Sequence, residues 1–127
     1  MPLSMIVVEG YRSVRRLWTR LDGLNLVLGP NGSGKTNLHR ALSLIESGVA
    51  GTLARAVAEE GGMPSVAWAG ERRAKDPVRV YVEVRFHDYT YALELGLVTH
   101  PGKTIFYRDP EVKSERISLS EGRRPVV

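Results

Sequence analysis

The chain has 127 residues and a mass of 14.1 kDa, which sets a single domain and leaves no room for a second. With 43% hydrophobic and 25% charged residues it can build a packed core, and its formal charge of +4 permits phosphate-bearing partners without the concentrated positive field of a dedicated nucleic-acid binder. The absence of cysteine excludes disulfides, Cys-ligated zinc, iron–sulfur clusters and thiol nucleophiles; no leader-like N-terminus and no stretch near the ~18 apolar residues of a membrane span are present, so a cytoplasmic protein without a membrane partner is expected.

Residues 5–8 (Met-Ile-Val-Val) are a short, mostly β-branched run, and Arg12–Trp18 follow after Gly10, predicting two short strands joined by a turn. Asp22-Gly23 is a hairpin-type turn signal ahead of Leu24-Asn25-Leu26-Val27-Leu28, an apolar stretch bounded by glycines that predicts a buried strand. Beyond a glycine-rich segment, Leu38, Ala41, Leu42 and Ile45 recur at helical spacing and predict a helix from about 34 to 47, ended by Ser47-Gly48. Residues 52–60 predict a shorter helix with Thr52 as N-cap and Gly61 past its end, and Gly61-Gly62-Met63-Pro64 then predicts a loop.

From residue 78 the period becomes two. Val78, Val80, Val82, Val84 and Phe86 alternate with Arg79, Tyr81, Glu83 and Arg85, and Tyr91, Leu93, Leu95 and Leu97 repeat the pattern, predicting an antiparallel hairpin about His87-Asp88-Tyr89. Pro101-Gly102 is a second turn, Thr104–Tyr107 a third strand of this region, and Asp109-Pro110 a break before a weaker strand within 112–119.

Gly29-Pro30-Asn31-Gly32-Ser33-Gly34-Lys35-Thr36 satisfies the P-loop pattern G-x-x-x-x-G-K-[ST], between a predicted strand and a predicted helix. Glycines 29, 32 and 34 let backbone N–H groups turn inward around a phosphate, at a helix N-terminus that adds partial positive charge. In this reading Lys35 reaches the β- and γ-phosphates, and the Thr36 hydroxyl completes the coordination of Mg²⁺.

These residues, followed by Asn37 and preceded by Gly10-Tyr11-Arg12-Ser13-Val14 and Leu24–Leu28, resemble the N-terminal lobe of ABC-type ATPase heads of the RecF and structural-maintenance-of-chromosomes-like group. The resemblance implies an α/β fold: a P-loop NTPase lobe with its P-loop helix and an accompanying antiparallel β-sheet. It implies ATP and Mg²⁺ as cofactors, with Gly29, Pro30, Asn31, Gly32, Ser33, Gly34, Lys35, Thr36, Asn37 and a basic position at Arg12 around the nucleotide. Such heads also need a Q-loop glutamine, a signature motif and a Walker B strand ending in Asp-Glu, and this sequence contains no glutamine. Glu83 and Glu94 sit inside alternating strands and are expected on the solvent face, and Leu119-Ser120-Glu121-Gly122-Arg123 only echoes the signature motif and reads as a loop.

The expectation is therefore a single, incomplete lobe over 1–127: strands, P-loop and helix over 1–48, helix and loop over 49–77, antiparallel strands over 78–127. It would bind ATP and require a second ATPase head, or a missing C-terminal half, for hydrolysis. DNA repair, chromosome maintenance and phage defence are uses of the resembling group, which admits DNA as a partner. Arg15, Arg16 and Arg20 are read as a polar strand face, with nucleic-acid backbone contact as the alternative, and Trp18 and Trp68 as packing residues. The alternatives are a small P-loop kinase, or a non-enzymatic interaction module with a vestigial P-loop.

Overall fold

The computed structural model describes residues 2–30, 32, 34–71, 73, 76–97, 109–119 and 125–126. Six strands form one sheet, β1 (Leu3–Tyr11), β2 (Val14–Arg20), β3 (Arg79–Phe86), β4 (Tyr89–Leu97), β5 (Pro110–Leu119) and β6 (Pro125–Val126), in the order β2-β1-β3-β4-β5-β6. Every pairing among the described strands is antiparallel. Three helices, α1 (Lys35–Ala50), α2 (Leu53–Glu59) and the single turn α3 (Met63–Val66), lie in the chain between β2 and β3.

The period-two pattern decides which face of the sheet the helices cover. Ile6 and Val8 of β1, Val80, Val82 and Val84 of β3, and Tyr91, Leu93 and Leu95 of β4 form one cluster with Ala41, Leu44 and Ile45 of α1 and Leu53 and Val57 of α2. The opposite face carries Glu9, Tyr81 and Glu94 in one cross-strand row and Val7, Glu83, Ala92 and Arg116 in the next. Leu38 and Leu42 are only partly buried, at the margin of the apolar stripe of α1.

Four expectations are corrected. The stretch Leu24–Leu28 forms no strand: Leu24, Leu26 and Leu28 are 98%, 82% and 80% exposed, and the segment pairs with no strand among the described residues. An apolar run becomes a buried strand only where a neighbouring strand completes its hydrogen bonds, and β1 is already paired on both sides, with β2 and β3. With no parallel pairing among the described strands and the helices gathered on one face, the arrangement is an antiparallel α+β layer pair rather than an alternating α/β one. The predicted loop at 61–64 contains the start of α3, where Pro64 stands in the first turn and contributes the fixed φ that a helix start favours. Glu83 is not on an open solvent face, being 9% exposed beneath Tyr81 and Arg85.

The remaining elements follow the pattern closely. β5 starts at Pro110, where a proline is tolerated at a strand's first residue. Thr52 stands at the α2 N-cap without a side-chain cap bond. Thr104–Tyr107 and Ser120–Arg123 lie outside the described residues.

Candidate functional site

The helix α1 begins directly after the glycine-rich segment. Gly32 (φ 85°) and Gly34 (φ 101°) take left-handed backbone conformations that side-chain-bearing residues rarely adopt, and Gly34 is the N-cap. The cap has no side-chain hydrogen bond and the first turn, Lys35-Thr36-Asn37, holds no acid, so no carboxylate of that turn offsets the positive end of the helix dipole. The Lys35 ammonium folds back and donates to the Gly29 carbonyl. Pro30 is exposed; Asn31 and Ser33 lie outside the described residues.

A cleft of about 430 Å³ opens at this helix end, lined by Ser13, Gly32, Gly34, Lys35, Thr36, Asn37 and Arg40. That volume falls within the roughly 300–1,000 Å³ typical of small-molecule sites. Five of the ten residues expected around a nucleotide line it: Gly32, Gly34, Lys35, Thr36 and Asn37. Two more were missed in the sequence. Arg40 stands one helical turn beyond Thr36, a spacing that was legible. Ser13 arrives from the β1–β2 turn: its Oγ accepts a hydrogen bond from Asn37 Nδ2 at 2.6 Å, and a Cβ built on Gly34 would stand 3.6 Å from that same oxygen.

Arg12 is placed differently from its expected role. Its guanidinium pairs with Glu60 at the end of α2 (Nη2 to Oε2 2.9 Å, Nε to Oε2 3.0 Å), and it does not line the cleft. The buried Tyr11 hydroxyl donates to the same carboxylate at 2.8 and 2.9 Å. Burial, followed by this bond to an anionic partner, pushes the Tyr11 phenol well above the usual tyrosine range. Burial pulls the Arg12 guanidinium down, but the bonds to Glu60 and Tyr11 outweigh it and the net shift is upward.

Glu83 and Glu94 lie on the sheet face away from the helices, so neither faces the cleft. Glu94 pairs with Arg79 at 3.2 Å and Glu83 with Arg85. Trp18 departs from the packing role expected of it: it is 60% exposed with the Arg16 guanidinium 5.0 Å from its ring centre, while Arg15 lies 5.3 Å from that of Trp68. Arg16 and Trp18 thus stack on one face of the edge strand β2, while Arg15 meets Trp68 from the segment after α3. Among the described residues no helix is long and apolar enough to cross a membrane.

Comparison with known proteins places these features in a family. A family profile described as "AAA domain, putative AbiEii toxin, Type IV TA system" matches residues 24–125. The DNA replication and repair protein RecF of Vibrio cholerae O395 is 41% identical over 49 residues, 38% of this chain and 14% of that protein. RecF of Aliivibrio salmonicida is similar at 41% and RecF of Vibrio parahaemolyticus at 39%, over the same shares of each chain. The matched stretch is thus about a seventh of the length of these curated relatives. With the profile spanning most of its length, the chain belongs to the AAA-domain family that this profile describes.

Proposed function

We propose that this chain is a P-loop NTPase lobe that binds ATP with Mg²⁺ through Gly29–Thr36. The observation that carries this reading is the cleft at the uncapped start of α1, where Lys35, Arg40 and the Thr36 hydroxyl converge on space suited to a polyphosphate. The residues fit the group: glycines supply left-handed turns, Lys35 is a mobile point charge whose carbonyl partner a phosphate oxygen would replace, and Thr36 would hold the metal. Bound Mg²⁺ would neutralise charge on the β- and γ-oxygens. Gly29, Pro30, Asn31 and Ser33 complete the loop in this reading, and Asn37 braces Ser13 beside it.

Hydrolysis needs a carboxylate for the metal, a group to orient water and charge opposite the γ-phosphate. No acidic residue lines the described cleft. We assign those groups to a second ATPase head or to the remainder of a longer chain, which would also cover the exposed apolar stretch Leu24–Leu28. A small P-loop kinase fits less well, because its largely parallel sheet has no counterpart among the described strands.

The test is ATP affinity with and without Mg²⁺. Wild type should bind saturably and more tightly with the metal, and Lys35→Ala should weaken binding at least tenfold; no saturable binding would overturn the reading in favour of a vestigial loop. Turnover by the isolated chain, abolished in Lys35→Ala, would overturn its incompleteness. A DNA partner is favoured by the relatives' names and by one local feature, the Arg16–Trp18 stack on β2. An oligonucleotide that leaves Trp18 emission unchanged in low salt would dismiss that contact.

A further inference from the structure

The β1–β2 turn owes its shape to contacts from a distant part of the chain. Arg12 has φ 48°, the one described non-glycine residue with a left-handed backbone, a conformation that persists only where its surroundings hold it. The Arg12 N–H donates to the Val66 carbonyl at 2.9 Å and its carbonyl accepts from the Ala69 N–H at 2.7 Å. Its side chain and that of Tyr11 converge on one carboxylate, Glu60, half-buried with a side-chain exposure of 17%. The residue that follows is Ser13, which reaches over the start of α1 to Asn37 and forms the wall of the cleft opposite Lys35 and Thr36.

We propose that Glu60 is a positioning residue for the nucleotide site: by clamping Tyr11 and Arg12 it holds the turn that sets Ser13 against Gly34 and Asn37. The proposal rests on the nucleotide-binding reading. It gives Arg12 the role of an anchor rather than a phosphate ligand. The two roles have opposite consequences, which makes them separable. If Arg12 were a ligand held in reserve, releasing it from Glu60 would strengthen ATP binding; if it is an anchor, releasing it lets Ser13 drift and weakens binding.

The experiment measures Mg²⁺–ATP affinity and melting temperature for wild type, Ser13→Ala, Glu60→Gln, the double variant and Lys35→Ala. Glu60→Gln keeps the shape and removes the charge; it should weaken ATP about five- to tenfold, the worth of roughly one hydrogen bond. Because Glu60 acts through Ser13, the double variant should lose little more than the larger single one. The Asn37 side-chain amide resonances of the nucleotide-free protein should shift in Glu60→Gln, a readout that general destabilisation would not move selectively. Should Glu60→Gln fail to fold, Arg12→Lys, which keeps the charge but loses the forked contact, should give the same weakening and the same resonance shift. Tighter binding in Glu60→Gln, unchanged affinity, or additive losses with Ser13→Ala would each overturn the proposal while leaving nucleotide binding intact. Absence of saturable binding in wild type would instead overturn the underlying reading, and this proposal with it.

Discussion

Single residues in this chain are held in unusual conformations for different reasons, and substitution separates them. Gly10 (φ 70°) sits where β1 runs beside the start of β3, and a Cβ added there would stand 2.3 Å from the Arg79 carbonyl oxygen, a backbone atom that cannot swing aside. Gly23 (φ 55°) has a similar backbone, but nothing lies within 4 Å of its would-be Cβ. Gly10→Ala should therefore cost the left-handed penalty of about 1–2 kcal/mol and additionally push β1 from β3. Gly23→Asn should stay within about 0.5 kcal/mol of wild type, because asparagine tolerates this backbone and meets no neighbour. Urea unfolding of both variants checks the pair: equal losses would show that the contact at Gly10 has no energetic weight. Neither effect is visible in the sequence, where both glycines simply punctuate strands; the difference lies in which backbone passes by.

At the scale of elements, periodicity was a good guide wherever the partner surface lies within the described chain. The alternation over 78–97 became β3 and β4 as expected, and the spacing at Leu38, Ala41, Leu42 and Ile45 became α1, although Leu44 rather than Leu42 is the more deeply buried. It failed at Leu24–Leu28, whose composition is that of a buried strand but whose backbone has no ladder to join. Val27 and Leu28 share the lining of an open cleft of about 450 Å³ with Leu17, Leu21 and Leu38, and they stay 51% and 80% exposed. The site shows the same division. The glycine-rich motif named Lys35 and Thr36, whereas Ser13 depends on a turn held by Glu60, a contact 48 residues away from Arg12 that no local pattern encodes. The energetic consequence is direct: Leu26→Lys should change the stability of the isolated chain by no more than about 0.5 kcal/mol, as at other exposed positions. Leu44→Ala, at 1% exposure inside the cluster, should cost about 2–5 kcal/mol. A loss in Leu26→Lys approaching that of Leu44→Ala would mean that the 24–28 stretch is packed in solution.

At the scale of the whole molecule, three phenols are each held against a carboxylate, one between sheet and helix layer and two within the sheet. Tyr11 links β1 to the end of α2 through Glu60, Tyr91 on β4 donates to Glu115 on the neighbouring β5 at 2.6 Å, and Tyr81 donates to Glu83 two residues further along the same face of β3. In each case burial is the largest cause, followed by the bond to the neighbouring carboxylate, and all three phenols are pushed above the usual tyrosine range. A neutral phenol donates its proton to a carboxylate; a phenolate cannot, and would place a second negative charge beside the first. In the unfolded chain these groups lose their protons near pH ~10, while in the folded chain they keep them to higher pH. Above about pH 10 the unfolded state therefore binds fewer protons than the native state, so unfolding free energy falls as pH rises, and the stabilisation is complete only below that point. The melting temperature should be insensitive to these groups between pH 8 and 9.5 and should drop progressively from about pH 10 to pH 12. In the triple variant Tyr11→Phe, Tyr81→Phe, Tyr91→Phe, the starting melting temperature should be lower, because three carboxylates lose a donor, but the alkaline fall should be shallower. Parallel alkaline profiles for the two proteins would show that the phenols do not carry the pH dependence. A shallower fall would locate the alkaline limit of the fold in three tyrosine–carboxylate bonds spread over β1, β3 and β4.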